Sequence, residues 1–337
     1  MDLLLSADET DLATSVERYL AASMSTPHLR QRLQAGEPLD DADWKAAGAL
    51  GMFSLGLPEE AGGAGCPVVE EMLVFRALGR HLAPVGFLSQ VIATRLAHLT
   101  DQPDLRDLLA AGTQSTSICL TDRSQAGPRR VCGLTGSAFL LEDRDGALTL
   151  FPQAMLPAGQ PVECLDPSTE LSLVATEGVD PTARLDGPAA EQLRLLGTLL
   201  SAAMLVGIAE AARDAAVAYA KQREQYGRLI GVNQAVKHPC AEMATRCEAT
   251  SSLLFFAALA LRDGRSDAGF QVAAAKRLAA GAAYFCTRTN VQVHGGMGVT
   301  WEHDAHLLVT RTHLLDHLFG DVRHQQQQLL ALAPSIP

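Results

Sequence analysis

The sequence predicts a mainly α-helical protein with a small inserted β domain. Its order is an N-terminal helical domain, a reduced middle β domain and a C-terminal four-helix bundle. Three observations carry this reading. Apolar residues recur at helical spacing up to about residue 113, and again beyond about residue 188. Between them lie short β-type runs separated by turn residues. No Gly-x-Gly-x-x-Gly follows a strand, so a doubly wound dinucleotide fold has little support. The expected divisions are 1–115, 116–188 and 189–337. With 337 residues, 47% of them hydrophobic and 19% charged, the chain can bury a sizeable core in two or three domains.

In the first part, Leu12, Val16, Tyr19 and Leu20 share one helical face. Asp40, Asp41 and Asp43 precede the run from Trp44 to Leu50, where acidic residues suit a helix N-terminus. Leu55 to Pro67 is a Gly/Pro-rich break, and a helix follows from about Val68 to Leu82.

The β part is expected at Ser117 to Thr121, Ala138 to Glu142, Ala147 to Phe151 and Leu171 to Thr176. Asp145-Gly146 marks a hairpin, because a type I′ turn needs positive φ at both centres. Four long helices are expected after it, at roughly 189–225, 234–263, 267–291 and 303–333. The loop from Gly227 to Gly231 divides the first two.

A net charge of −11 argues against nonspecific binding to nucleic acid or anionic membrane. No signal peptide pattern opens the chain, and no run is expected to reach the roughly 18 apolar residues of a membrane span. Seven scattered cysteines without a Cys-x-x-Cys pair read as reduced core thiols of a cytoplasmic protein, and no metal site is expected.

The segment from Arg223 to Ala244 is the most informative. Arg223 ends a long helical run, and its planar fork suits a pyrophosphate. Tyr226 offers a face for a flat ring. Gln234, at the start of the next run, both donates and accepts hydrogen bonds. Gln292 precedes Gly295-Gly296, where the missing Cβ lets backbone approach a ligand. Each residue also has a plain structural reading. Arg223 could pair with Glu224 or Glu210 on the surface, and the glycine pair could be only a helix cap and turn.

Taken together, Arg-x-x-Tyr-Gly…Gln and the later Gln-x-His-Gly-Gly-x-Gly-x-Thr-x-Glu-x-Asp resemble the C-terminal bundle of acyl-CoA dehydrogenases. The loop residues Pro58, Glu59, Glu60, Gly62, Gly63 and Gly65 resemble that family's Pro-Glu-Glu loop. The resemblance implies a bundle that pairs with a second subunit. It also implies that Arg223, Tyr226, Gln234, Gln292, Gly295 and Gly296 hold the ADP part of an FAD shared with that subunit.

The same resemblance locates what is missing. The family's catalytic carboxylate abstracts the α-proton of the acyl-CoA, so it must lie within reach of that carbon. It comes either from a Glu before a Gly near the chain's end or from a Glu on the first bundle helix. Here those positions hold Phe319, before Gly320, and Gly197, ten residues before Gly207. Asp321 and Glu191 are displaced from them by two and six residues. The family's Thr-Glu-Pro-x-x-Gly-Ser-Asp stretch is replaced by Thr121 to Gly127. The only tryptophans, Trp44 and Trp301, lie outside the β part.

No catalytic residue is therefore expected in this chain. The resemblance implies the non-catalytic subunit of a heteromeric α2β2 acyl-CoA dehydrogenase of the kind acting on steroid side-chain CoA thioesters. A second acyl-CoA dehydrogenase-like chain would supply the Glu and most of the acyl-CoA site, and the isolated chain is expected to be inactive. Two alternatives remain: a self-sufficient homomeric enzyme with a displaced base such as Asp321, and a flavin-free scaffold.

Overall fold

A computed structural model describes residues 5–36, 41–120, 127–133 and 136–333. Six helices open the chain: α1 (Ala7–Ser23), α2 (Thr26–Ala35), α3 (Asp41–Ala49), α4 (Val68–Arg80), α5 (Gly86–Leu99) and α6 (Pro103–Ala110). Local sequence sets their ends. Ser6 caps α1 in a reciprocal box with Glu9: the Glu9 amide donates to Ser6 Oγ (3.2 Å) and the Ser6 amide donates to Glu9 Oε2 (2.7 Å). Pro103 opens α6, where its missing N–H costs nothing. The expected acidic start of α3 cannot be followed at Asp40, which lies outside the described residues, but Asp43 pairs with Arg32 of α2. Trp44 of α3 packs on Phe53 and Phe87 with ring centroids 5.2 and 5.1 Å apart.

The sheet has seven strands rather than the four expected. They are β1 (Thr116–Cys119), β2 (Arg129–Cys132), β3 (Phe139–Arg144), β4 (Ala147–Pro152), β5 (Gln160–Val162), β6 (Leu171–Val174) and β7 (Ala183–Leu185). Their spatial order is β5-β6-β2-β1-β3-β4-β7, with only the β1–β3 pair parallel. The β3–β4 hairpin turns at Asp145-Gly146 with φ of 52° and 84°, as the sequence predicts. The added strands β2, β5 and β7 are three or four residues long. Such short segments become strands through their neighbours' ladders rather than through their own pattern.

The remainder is helical: α7 (Gly187–Gln222), α8 (Gln234–Arg262), α9 (Ala268–His294), α10 (Ala305–Asp316) and α11 (Val322–Ala331). The predicted fourth bundle helix is thus two helices, broken where Phe319 and Gly320 take φ of 53° and 95°. A two-residue hairpin also interrupts the predicted loop after α7: β8 (Glu224–Gln225) pairs with β9 (Arg228–Leu229).

Helix α7, 36 residues long, runs through the centre of the bundle, with Leu199 to Ala209 almost wholly buried. Contrary to expectation, it is long and apolar enough by composition to cross a membrane. However, 89% of that window is buried inside the fold, as in the core helix of a bundle.

Candidate functional site

Two places in the fold hold the residues that the sequence singles out, and the bundle helices position both. The first is the end where α7 and α9 finish and α8 begins. Arg223 caps α7, its own amide donating to Tyr219 O (2.8 Å) and its carbonyl accepting from the Ile230 amide (2.9 Å). One turn earlier, the Tyr219 ring stacks on His294 at 4.2 Å, and His294 lies 4.2 Å from His303. This ring stack ties the end of α7 to the last residue of α9, immediately before Gly295.

At this end, Arg223, Tyr226, Gln234, Gln292, Gly295 and Gly296 are all exposed. Tyr226 and Gly227 form the tip of the β8–β9 hairpin, with φ of 54° and 73°, and the Tyr226 side chain is fully exposed. Its ring therefore packs on nothing among the described residues. Gly295 takes φ 63°, and open space surrounds the missing Cβ of both glycines. The surface reading of Arg223 with Glu210 does not hold. Glu210 is buried and bonded by Arg76, whose Nε donates to Glu210 Oε2 at 2.9 Å. Between residues 221 and 238 stand four exposed basic residues, Lys221, Arg223, Arg228 and Lys237, against one acidic residue, Glu224. In an acidic chain this is a locally basic surface. Its donors suit a diphosphate, and its open glycine backbone suits close approach of a ligand.

The second place lies in the first third of α7. Gly197 faces the α10–α11 turn, and a Cβ built on it would fall 2.5 Å from Phe319 Cε1. The Phe319 ring is buried against the bare backbone of Gly197. Gln325 Nε2 fixes the turn by donating to Phe319 O (3.0 Å) and Gly320 O (3.2 Å). Both nearby carboxylates are engaged in local contacts. Asp321 caps α11, accepting the His324 amide at 2.8 Å, and Glu191 pairs with Arg194. The stretch Thr121 to Gly127, set against the family's Thr-Glu-Pro sequence, falls at 121–126 outside the described residues.

Two buried polar groups brace these places, and the sequence reading did not single out either. Lys276 of α9 is fully buried. Its Nζ donates to Ser201 Oγ (2.8 Å), Leu315 O (2.8 Å) and Leu318 O (3.3 Å), closing the end of α10 just before Phe319. Burial pulls its pKa down to about 7, against the opposing pull of Asp316. Arg311 of α10 joins all three parts of the chain. Its Nε donates to Asp166 Oδ2 (2.5 Å), its Nη2 to Ser168 Oγ (2.6 Å) and its Nη1 to Leu82 O (3.0 Å). Burial pushes the Asp166 carboxyl up, but Arg311 and Ser168 outweigh it and hold it below the ordinary range. The charged pair Lys276-Arg277 inside the alanine-rich run Ala273 to Ala280 was the one signal available in the sequence.

Comparison with known proteins agrees with this architecture. The family description "Acyl-CoA dehydrogenase, C-terminal domain" matches residues 195–328, and "Acyl-CoA dehydrogenase, N-terminal domain" matches residues 6–100. Acyl-CoA dehydrogenase FadE34 of Mycobacterium tuberculosis is 33% identical over 298 residues. The match takes in 84% of this chain but only 41% of that protein's length. Acyl-CoA dehydrogenase IpdE2 of the same organism is 29% identical over 305 residues, 90% of each chain. Among solved structures, a chain of the ChsE4-ChsE5 complex from Mycobacterium tuberculosis superposes with a TM-score of 0.86 at 23% identity over the full length of both. A variant of the Tcur3481-Tcur3483 steroid ACAD gives 0.81 at 25% identity, over 96% of this chain and 97% of that one. By its two domain matches and its fold, the chain belongs to the acyl-CoA dehydrogenase family.

Proposed function

We propose that this chain is the non-catalytic subunit of a heteromeric, FAD-dependent acyl-CoA dehydrogenase that desaturates an acyl-CoA at its α,β bond. The observation that carries the reading is the Phe319–Gly197 contact. Both positions at which the family places its base lie against each other, and an aromatic ring fills the space between them. A partner chain must therefore bring the carboxylate.

FAD, when bound, supplies the hydride acceptor. This chain's part is to hold the far end of that cofactor. Arg223 grips the pyrophosphate, Gln234 and Gln292 offer amides, and Gly295-Gly296 admits close backbone approach. Tyr226, with no packing partner among the described residues, is free to cover a flat ring. The exposed, locally basic character of this end supports an anionic ligand completed by another subunit.

The two-chain name of the Tcur3481-Tcur3483 steroid ACAD supports a heteromer and a bulky steroid-type CoA thioester as substrate. A homomeric enzyme using Asp321 is disfavoured, because that carboxylate is committed to capping α11. A flavin-free scaffold would leave the basic end without a ligand.

The test is co-expression with the protein encoded beside this gene. A coloured complex of both chains that oxidises an acyl-CoA, and loses that activity when the partner's Glu is removed, supports the reading. A colourless complex, or full activity of this chain alone, overturns it.

A further inference from the structure

Two of the seven thiols face each other across the bundle. Cys247 of α8 and Cys286 of α9 are both buried, with their sulfurs 3.8 Å apart. No other pair of cysteines is in sulfur contact among the described residues. The two sulfurs differ in character. Either thiol can donate across this contact, and Cys286 Sγ can instead donate to Met243 O at 3.9 Å. Cys286 as the donor favours the thiolate of Cys247. Burial opposes this, the Arg213 guanidinium assists it, and the net pKa of Cys247 is lowered while that of Cys286 is raised. Glu210 and Asp214, which also face Cys247, are each paired with an arginine. The arrangement thus pairs an attacking sulfur with a resolving one.

We propose that Cys247 and Cys286 are a peroxide-oxidised pair that closes an intramolecular disulfide between α8 and α9. The co-reactant is a hydroperoxide, small and uncharged enough to enter the core as the two helices breathe. The Cys247 thiolate attacks one peroxide oxygen and the O–O bond breaks. With the proton made good, one water leaves and Cys247 becomes a sulfenic acid. The Cys286 sulfur then attacks the Cys247 sulfur, the S–S bond forms, the S–O bond breaks and a second water leaves. Two thiols lose two electrons in all, and one peroxide gains them.

The bridge has a structural consequence. Helix α8 begins at Gln234 and α9 ends next to Gly295. The disulfide therefore staples the two helices whose ends carry Gln234 and Gln292 of the proposed cofactor grip. The inference stands on the sulfur geometry and does not depend on that grip.

The experiment uses the full chain, reduced and then exposed to hydrogen peroxide, with peptide mapping under non-reducing conditions. The expected product is two hydrogens lighter per chain, links the Cys247 and Cys286 peptides within one chain, reverts with a reductant and melts at higher temperature. Cys247→Ala and Cys286→Ala should each abolish the linked peptide. The proposal is overturned if both thiols can still be alkylated after unfolding at a dose that oxidises the half-buried Cys66 or Cys164. It is equally overturned if the link forms between chains. Should either variant fail to fold, the map of the unaltered protein decides alone.

Discussion

The Phe319 ring rests on the Cα of Gly197, close enough that a methyl group on that glycine would lie 2.5 Å from the ring edge. One contact thus joins residues 122 positions apart, the two at which the sequence resemblance would place a catalytic carboxylate. A glycine on the helix side and a ring on the turn side are complementary, since neither could be enlarged while the other stays.

That complementarity predicts a change of sign. Gly197→Ala should lower stability by roughly 1–3 kcal/mol through overpacking. In a Phe319→Ala background the clash is gone. The same substitution should then stabilise by up to about 1 kcal/mol, as Ala does over Gly in a helix interior. Urea unfolding of the four proteins measures the cycle, and equal costs in both backgrounds would remove the contact from the account.

At the other end of the bundle, Arg223→Ala is expected to weaken FAD retention by the heteromer roughly ten- to a hundredfold. That is the scale of a hydrogen bond to a charged group. Assembly should remain intact, because Arg223 packs on no core residue. Flavin content after gel filtration reads the effect. Unchanged flavin, or loss of assembly with unchanged flavin affinity, would count against the role given to Arg223.

Lys276 makes a pH prediction. Its folded pKa of about 7 lies below its ordinary value of 10.5. Between those values the unfolded chain binds more protons, so stability from this group rises with pH through that window. Below about pH 7 both states are protonated and the dependence vanishes. The slope for one proton is about 1.4 kcal/mol per pH unit at most. In Lys276→Met that slope should disappear, leaving Ser201, Leu315 and Leu318 without their donor. Thermal or urea unfolding between pH 6 and 9 tests it, and parallel curves for the two proteins would refute it.

Asp166→Ala should cost roughly 3–5 kcal/mol, because it leaves the Arg311 charge buried without its partner. The folded pKa of Asp166 is held below its ordinary value, so its contribution is present above that value and is lost as pH falls through the folded one. Acid unfolding should therefore begin at higher pH in the variant. Coincident acid transitions would show that Ser168 and the carbonyls of Leu82 and Ala83, to which Arg311 also donates, suffice for it.

How much of this was legible in the sequence depended on whether the signal was local. The β3–β4 turn was readable because Asp145-Gly146 states its own backbone geometry. The long bundle helices were readable from their apolar spacing. Strands β2, β5 and β7 were not, since three or four residues hold too little pattern and depend on neighbours such as β6 and β4. The break between α10 and α11 was missed because the helical spacing of Leu315, Phe319 and Val322 runs through it, although Gly320-Asp321 offers a turn and an N-cap. Only the left-handed backbone at Phe319 and Gly320, pinned by Gln325, stops it. The residues proposed to hold the cofactor form a spacing in the sequence, whereas the end of the bundle they share is tied by the Tyr219–His294 stack, which no motif announces. The ion pair of Arg311 with Asp166 spans 145 positions and left no trace in local pattern.

The most direct test is the flavin stoichiometry of the purified complex formed with the neighbouring gene's product. The account predicts a heteromer that holds one FAD for every two chains, with dehydrogenase activity that depends on the partner's carboxylate. A homomer of this chain that binds one FAD per chain and dehydrogenates an acyl-CoA by itself would contradict it.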